Sequence, residues 1–249
     1  MGELDGKAAV ITGAGSGMAR ATAEVFVREG ASVLAADISG RQEETAATLG
    51  DAVVPFKVDI SKANQVEAMF RAAQDAFGKV DVLLNVAGIG GGGRLVDTTE
   101  EDYERIMAVD LKGVFLCTKY AINPLRDNGG GVIINVASIG GLGASASIPT
   151  STYSAAKAGV ISYTKATAVE YGRYGIRCNA ICPGFIETEM AGGKGAAEKY
   201  PALLNGAALR RPGQPEEIAE LLSFLASDRA GYITGAIIPI DGGVTAGYP

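Results

Sequence analysis

Seven short apolar runs, separated by longer stretches with helical spacing, constrain this chain more than any other feature of it. The runs are Ala8–Thr12, Ser32–Asp37, Ala52–Val58, Val80–Asn85, Gly131–Ala137, Ile176–Cys182 and Ala236–Ile240. They are near-continuously apolar rather than alternating, as expected of parallel strands covered on both faces. Between them lie helical patterns at Met18–Glu29, Arg41–Leu49, Lys62–Phe77, Glu100–Asp127, Thr152–Gly172 and Glu216–Ala226. Strand–helix alternation with right-handed crossovers predicts an α/β fold with a doubly wound, mainly parallel, seven-stranded sheet flanked by helices. At 249 residues the chain can bury one large core. No linker or repeat divides it, so a single domain over residues 1–249 is expected.

Several function classes recede at this stage. Net charge is −6, and no lysine or arginine cluster stands out, which argues against a nucleic-acid partner. The longest apolar runs, such as Val132 to Ala137, are strand-length, so no membrane span is expected. Met1 to Lys7 has no basic region leading into an apolar core, so no secretory signal is expected. Cys117, Cys178 and Cys182 form no CxxC pair. Cys178 and Cys182 share a strand, where four residues span roughly 13 Å, too far for a bridge. Free thiols in a reducing cytoplasm are the expectation. The chain has no histidine, which removes histidine-based triads and argues against a catalytic zinc; no metal is expected.

The first apolar run leads into Thr12-Gly13-Ala14-Gly15-Ser16-Gly17-Met18-Ala19 and then into a helix. Glycines there let the backbone approach a pyrophosphate, and the helix N-terminus offers free N–H groups. A tight structural turn would look the same in isolation. Asp37, ending the second run, makes the Rossmann dinucleotide-binding reading stronger. Its carboxylate suits the adenosine ribose hydroxyls and repels a 2′-phosphate, while Ser16 offers no charge to hold one. Arg41 lies four residues on, at the start of the next helix. NAD is therefore expected over NADP.

Tyr153 and Lys157, in Tyr153-Ser154-Ala155-Ala156-Lys157, fall one turn apart on the same helical face. A phenol is a poor base at neutrality, and an ammonium beside it favours the phenolate. The pair therefore suits acid/base work. Ser138 lies upstream at a strand end, where it could equally be a cap.

Taken with Asp59, Asn85-Val86-Ala87-Gly88, Pro183-Gly184, Thr188 and the closing Asp241-Gly242-Gly243, these residues make the chain resemble the short-chain dehydrogenase/reductase family. The resemblance runs from about Lys7 to Gly243. It implies that Ser138, Tyr153 and Lys157 are catalytic. Ser138 would bond the substrate oxygen, Tyr153 would exchange its proton, and Lys157 would assist Tyr153 and hold the nicotinamide ribose. It also implies a cofactor cradle of Gly13, Ser16, Gly17, Met18, Asp37, Ile38, Asp59, Ile60, Asn85, Ala87, Gly88, Tyr153, Lys157, Pro183, Gly184, Ile186 and Thr188. A homotetramer is implied as well.

Three positions depart from the family pattern. Ala19 replaces a third glycine, and Val86 follows Asn85 where a second asparagine is common. Asp110 stands where the family has a catalytic asparagine. A carboxylate there is expected to pair with the Lys157 ammonium and weaken its action on Tyr153. Ser145, Ser147 and Ser151 are alternative hydroxyls between Ser138 and Tyr153.

Gly90 to Gly93 reads as a flexible site loop, and residues 189–214 as a lid over a substrate pocket. The lid carries Met190, Tyr200, Leu203, Leu204 and Leu209, so a partly apolar small-molecule substrate is expected. The leading expectation is an NAD-dependent oxidoreductase acting on a secondary alcohol or its ketone. The resemblance implies an NADPH-dependent 3-oxoacyl-thioester reductase as the alternative; Asp37 argues against it, and the lid cations Lys194, Lys199, Arg210 and Arg211 leave it open. A catalytically weak dinucleotide-binding protein is the non-enzyme alternative.

Overall fold

The strands in a computed structural model, which describes residues 2–144, 148–193, 195 and 206–247, are β1 Ala8–Thr12, β2 Ser32–Asp37, β3 Val53–Lys57, β4 Val82–Asn85, β5 Gly131–Val136, β6 Ile176–Pro183 and β7 Ile237–Ile240. All pairings are parallel, in the order β3-β2-β1-β4-β5-β6-β7. The sheet is thus entirely, not merely mainly, parallel. The helices are α1 Gly17–Arg28, α2 Gln42–Leu49, α3 Ala63–Phe77, α4 Glu100–Met107, α5 Val114–Asp127, α6 Ser151–Tyr171 and α7 Pro215–Ala226. The chain direction of winding reverses between β1 and β4, and a ligand cleft is expected outside the carboxyl ends of the strands there.

Strand residues alternate between two covered faces, which explains the unbroken apolar runs. Ile11, Val33, Leu84 and Ile134 pack with Phe26 of α1 and Leu222 of α7. Val10, Leu34, Leu83 and Ile133 face Met69 of α3 and Leu125 of α5. Each large side chain buried this way contributes about 1.5–3 kcal/mol. Pro55 and Pro239 fall on β3 and β7, the two edge strands, where a missing N–H leaves no central ladder bond unmade.

Element boundaries shift where local polar groups take over. A tight turn at Gly50–Ala52 replaces the expected start of β3. β4 begins at Val82, and Asp81 before it ties the neighbouring strands: its N–H donates to the Ala8 carbonyl at 2.8 Å, its carbonyl accepts from the Val132 N–H at 2.9 Å, and its carboxylate accepts from the Ala8 N–H at 2.8 Å and meets Lys79 at 3.0 Å. The largest correction concerns the single helix expected over Glu100–Asp127. A π-turn at Ala108–Gly113 separates α4 from α5. It carries Asp110.

Cys117, Cys178 and Cys182 are free and buried. Burial pushes their thiols up to about 12, 12 and 11 respectively. No helix among the described residues is long and apolar enough to cross a membrane. Ser145, Ser147, Lys194, Lys199, Tyr200, Leu203 and Leu204, named above, lie outside the described residues.

Candidate active site

The end of the candidate site where an adenosine is expected is built by the loops after β1, β2 and β4. Thr12 Oγ1 donates to the Leu84 carbonyl at 3.2 Å and accepts from the N–H groups of Val86 (3.1 Å) and Ala87 (3.2 Å). One hydroxyl thereby ties the ends of two strands together. Gly13 turns the chain at φ +79°, and a Cβ there would sit 2.9 Å from Ala87 Cα. Only glycine meets both demands. Ser16 precedes α1 without a side-chain capping bond, and no acidic residue occupies the first turn. The helix therefore presents uncapped N–H groups, which suit a phosphate.

Asp37 is held by backbone. Its Oδ2 accepts from the Gly15 N–H at 2.9 Å and its Oδ1 from the Ser39 N–H at 2.8 Å. Gly13, Ser16, Gly17, Asp37, Ile38, Asp59, Ile60 and Ala87 line one cavity of about 340 Å³.

A second cavity of about 840 Å³ continues from it. Met18, Val86, Gly88, Ile89, Thr188 and Met190 line both, so one cleft runs from Asp37 to Tyr153. The residues lining it include Asp110, Ser138, Tyr153 and Lys157, together with Pro183, Gly184 and Ile186. Ser138 follows β5, and its Oγ accepts from the Gly140 N–H at 3.1 Å, leaving its own proton free to donate. Tyr153 and Lys157 occupy successive turns of α6, with Lys157 Nζ 5.5 Å from the Tyr153 ring centroid.

Lys157 is 3% exposed and donates to the Val136 carbonyl at 3.1 Å. Its second partner is Asp110 Oδ1, also at 3.1 Å. The carboxylate expected beside the ammonium is therefore in direct contact with it. Asp110 is fully buried and further accepts from the Ile89 N–H, 3.3 Å from each oxygen. Burial raises the Asp110 carboxyl, and the Lys157 charge pulls it back down only in part. Gly88 is required by contact: a Cβ would lie 2.6 Å from Asp110 Oδ1 and 3.3 Å from Lys157 Nζ.

Asn85 departs from its expected place at the cofactor. Its Nδ2 donates to Asn135 Oδ1 at 2.8 Å and Thr118 Oγ1 at 3.3 Å, inside the sheet–helix layer. Asn135 is its register partner on β5 and donates onward to Thr164 Oγ1 at 2.9 Å. Buried and held by Asn135 and Thr118, Asn85 lines neither cavity, whereas Val86, Ala87 and Gly88 after it do. Ser151 donates to the Gly93 carbonyl at 3.0 Å, so it ties down the Gly90–Gly93 loop instead of lining the pocket.

Sequence reasoning missed Ile89, Ile148 and Phe185, which line the larger cavity. Phe185 directly follows the Pro183-Gly184 motif, which was the available signal. Lys157 and Asp110 are the only charged side chains among the described residues lining that cavity. Of the suggested lid cations, Arg211 is committed to Glu217, meeting it at 2.7 Å.

A family model described as enoyl-(acyl carrier protein) reductase matches residues 13–245. An uncharacterized oxidoreductase of Bacillus subtilis (strain 168) is 44% identical, over 99% of this chain and 93% of that protein. A meso-2,3-butanediol dehydrogenase of Serratia marcescens is 39% identical, covering 98% of this chain and 96% of its own. A 3-oxoacyl-(acyl-carrier-protein) reductase of Thermotoga maritima is also 39% identical, covering 97% and 98%. The crystal structure of a short-chain type dehydrogenase/reductase from Mycobacterium marinum superposes with a TM-score of 0.92 at 34% identity, covering 98% and 97%.

Proposed function

The chain belongs to the short-chain dehydrogenase/reductase family, and from that premise we propose that it is an NAD-dependent oxidoreductase interconverting a secondary alcohol and its ketone. The observation that carries this reading is the single cleft joining Asp37 at one end to Ser138, Tyr153 and Lys157 at the other. The residues fit a nicotinamide dinucleotide: an uncapped helix start for the pyrophosphate, a backbone-held carboxylate for the ribose, and a buried ammonium near the chemistry. Bound there, the cofactor supplies or accepts the hydride.

The protein's part in oxidation is to remove a proton. Ser138, with one lone pair engaged by the Gly140 N–H, donates its proton to the substrate oxygen and orients it. Tyr153 then takes the hydroxyl proton, and in reduction it returns one. Lys157 has two donors committed, to Val136 and Asp110, and a third left to act on the Tyr153 side. Asp110 restrains that ammonium and so tempers its effect. An uncharged, partly apolar substrate suits walls of Ile89, Ile148, Phe185 and Met190. Residues 189–214, of which 194 and 196–205 lie outside the described residues, would form a lid over the pocket, in a cytoplasmic homotetramer.

The 3-oxoacyl-thioester reductase remains a second reading, supported by the Thermotoga maritima relative. A fluorescence titration with NADH and with NADPH separates the two. Much tighter NADH binding supports the alcohol dehydrogenase, and should be followed by oxidation of a panel of secondary alcohols. Tighter NADPH binding moves the thioester reductase first.

A further inference from the structure

Arg41 and Glu189 meet across the adenosine end of the cleft. The guanidinium donates through Nη1 to Glu189 Oε2 at 2.5 Å and through Nη2 to Oε1 at 2.9 Å. Both residues line the same cavity as Asp37, and Arg41 is the only lysine or arginine among its described lining residues. The Arg41 stem is fixed against the glycine turn, since a Cβ on Gly15 would lie 3.0 Å from both Arg41 Cβ and Asp37 Oδ2. Glu189 begins the short turn Glu189–Ala191 directly after Thr188, which faces Gly17. The pair therefore spans the cleft where the far ribose of a dinucleotide would lie.

A guanidinium fork fits a carboxylate and a phosphate equally well, so it cannot serve both at once. We propose that Glu189 is a cofactor-specificity residue: it occupies Arg41, and so denies a 2′-phosphate the one cation among the described residues lining the adenosine cavity. Its own carboxylate also adds to the negative field of Asp37. Glu44 and Asp37 act on the same guanidinium from the β2–α2 side. Arg20 is the other cation acting on Glu189, and only weakly. The pair is surface-exposed on both sides, so neutralising one partner frees the other without disturbing the core.

This inference rests on the NAD reading above. Its test is a fluorescence titration with NADH and NADPH of the wild type, Glu189→Gln, and Glu189→Gln combined with Arg41→Ala. The expected result is NADPH binding about tenfold tighter in Glu189→Gln, with NADH changed by less than about threefold. That gain should vanish in the double variant, because it depends on the released guanidinium. A Glu189→Gln ratio of NADPH to NADH affinity within about twofold of the wild type overturns the proposal. So does a gain that survives loss of Arg41. If the wild type itself prefers NADPH, the NAD reading fails, yet a gain lost with Arg41 would still establish the role of Glu189.

Discussion

The two ends of the cleft use the same chemistry, an acidic side chain against a basic one, in opposite surroundings. At the adenosine end, Arg41 and Glu189 keep 38% and 66% of their side chains in solvent. At the reacting end, Lys157 and Asp110 keep 4% and 0%. Exposed charges are screened and contribute little to stability, so they are free to vary and to sort ligands. Buried charges are coupled to the fold and to each other, so a change there moves stability, proton affinity and rate together. On the proposed reading, selectivity sits where charge is easily altered and reactivity where it is not.

Removing the phenol should break this comparison most severely at the buried end. Tyr153→Phe is expected to lower kcat/KM by a factor of about a thousand while NADH still binds, as loss of a general acid/base does. Activity that survives in steady-state assays would sink the mechanism. Gly88→Ala comes next. It drives a methyl into the Asp110–Lys157 pair, and a loss of about 2–4 kcal/mol on thermal unfolding is expected, with activity falling alongside. An unchanged Tm would show that the pair is looser than described.

The exposed end should respond in selectivity alone. Asp37→Asn is expected to raise NADPH affinity relative to NADH by about tenfold with little change in turnover. Comparable losses in kcat would instead tie Asp37 to the chemistry. The smallest effect expected is that of Asp110→Asn, a severalfold rise in kcat/KM at neutral pH that shrinks as pH falls. The sign follows from burial: the carboxyl sits above its ordinary range. Its protonated form is thus favoured by the fold at acid pH, and that stability is lost as pH rises through the folded value. Tm measured against pH should therefore fall less steeply toward neutrality in the asparagine variant. Identical pH–rate and pH–Tm profiles would remove Asp110 from the machinery.

Much of the scaffold was legible in the sequence because parallel strands buried on both faces leave unbroken apolar runs. The candidate pair Tyr153 and Lys157 was legible because helical spacing puts both on one face, whereas Ser138 entered only through the family resemblance. The π-turn at Ala108–Gly113 was not, since it inserts a residue into helical periodicity without altering composition. Asn85 was misplaced because its motif points to the cleft, whereas the pleat turns its side chain to Asn135. The Arg41–Glu189 pair joins residues 148 apart, and no local pattern predicts such a contact.

The three sealed thiols of β6 and α5 have a practical consequence. A thiol held at about 11 or 12 behind packed side chains stays unreactive toward an alkylating probe at neutral pH until the chain opens. The protein also lacks tryptophan, so ordinary fluorescence offers no strong signal of unfolding. Cys117, Cys178 and Cys182 therefore serve as a built-in clock: their labelling rate, with and without a dinucleotide, reads how much each cofactor tightens the native state.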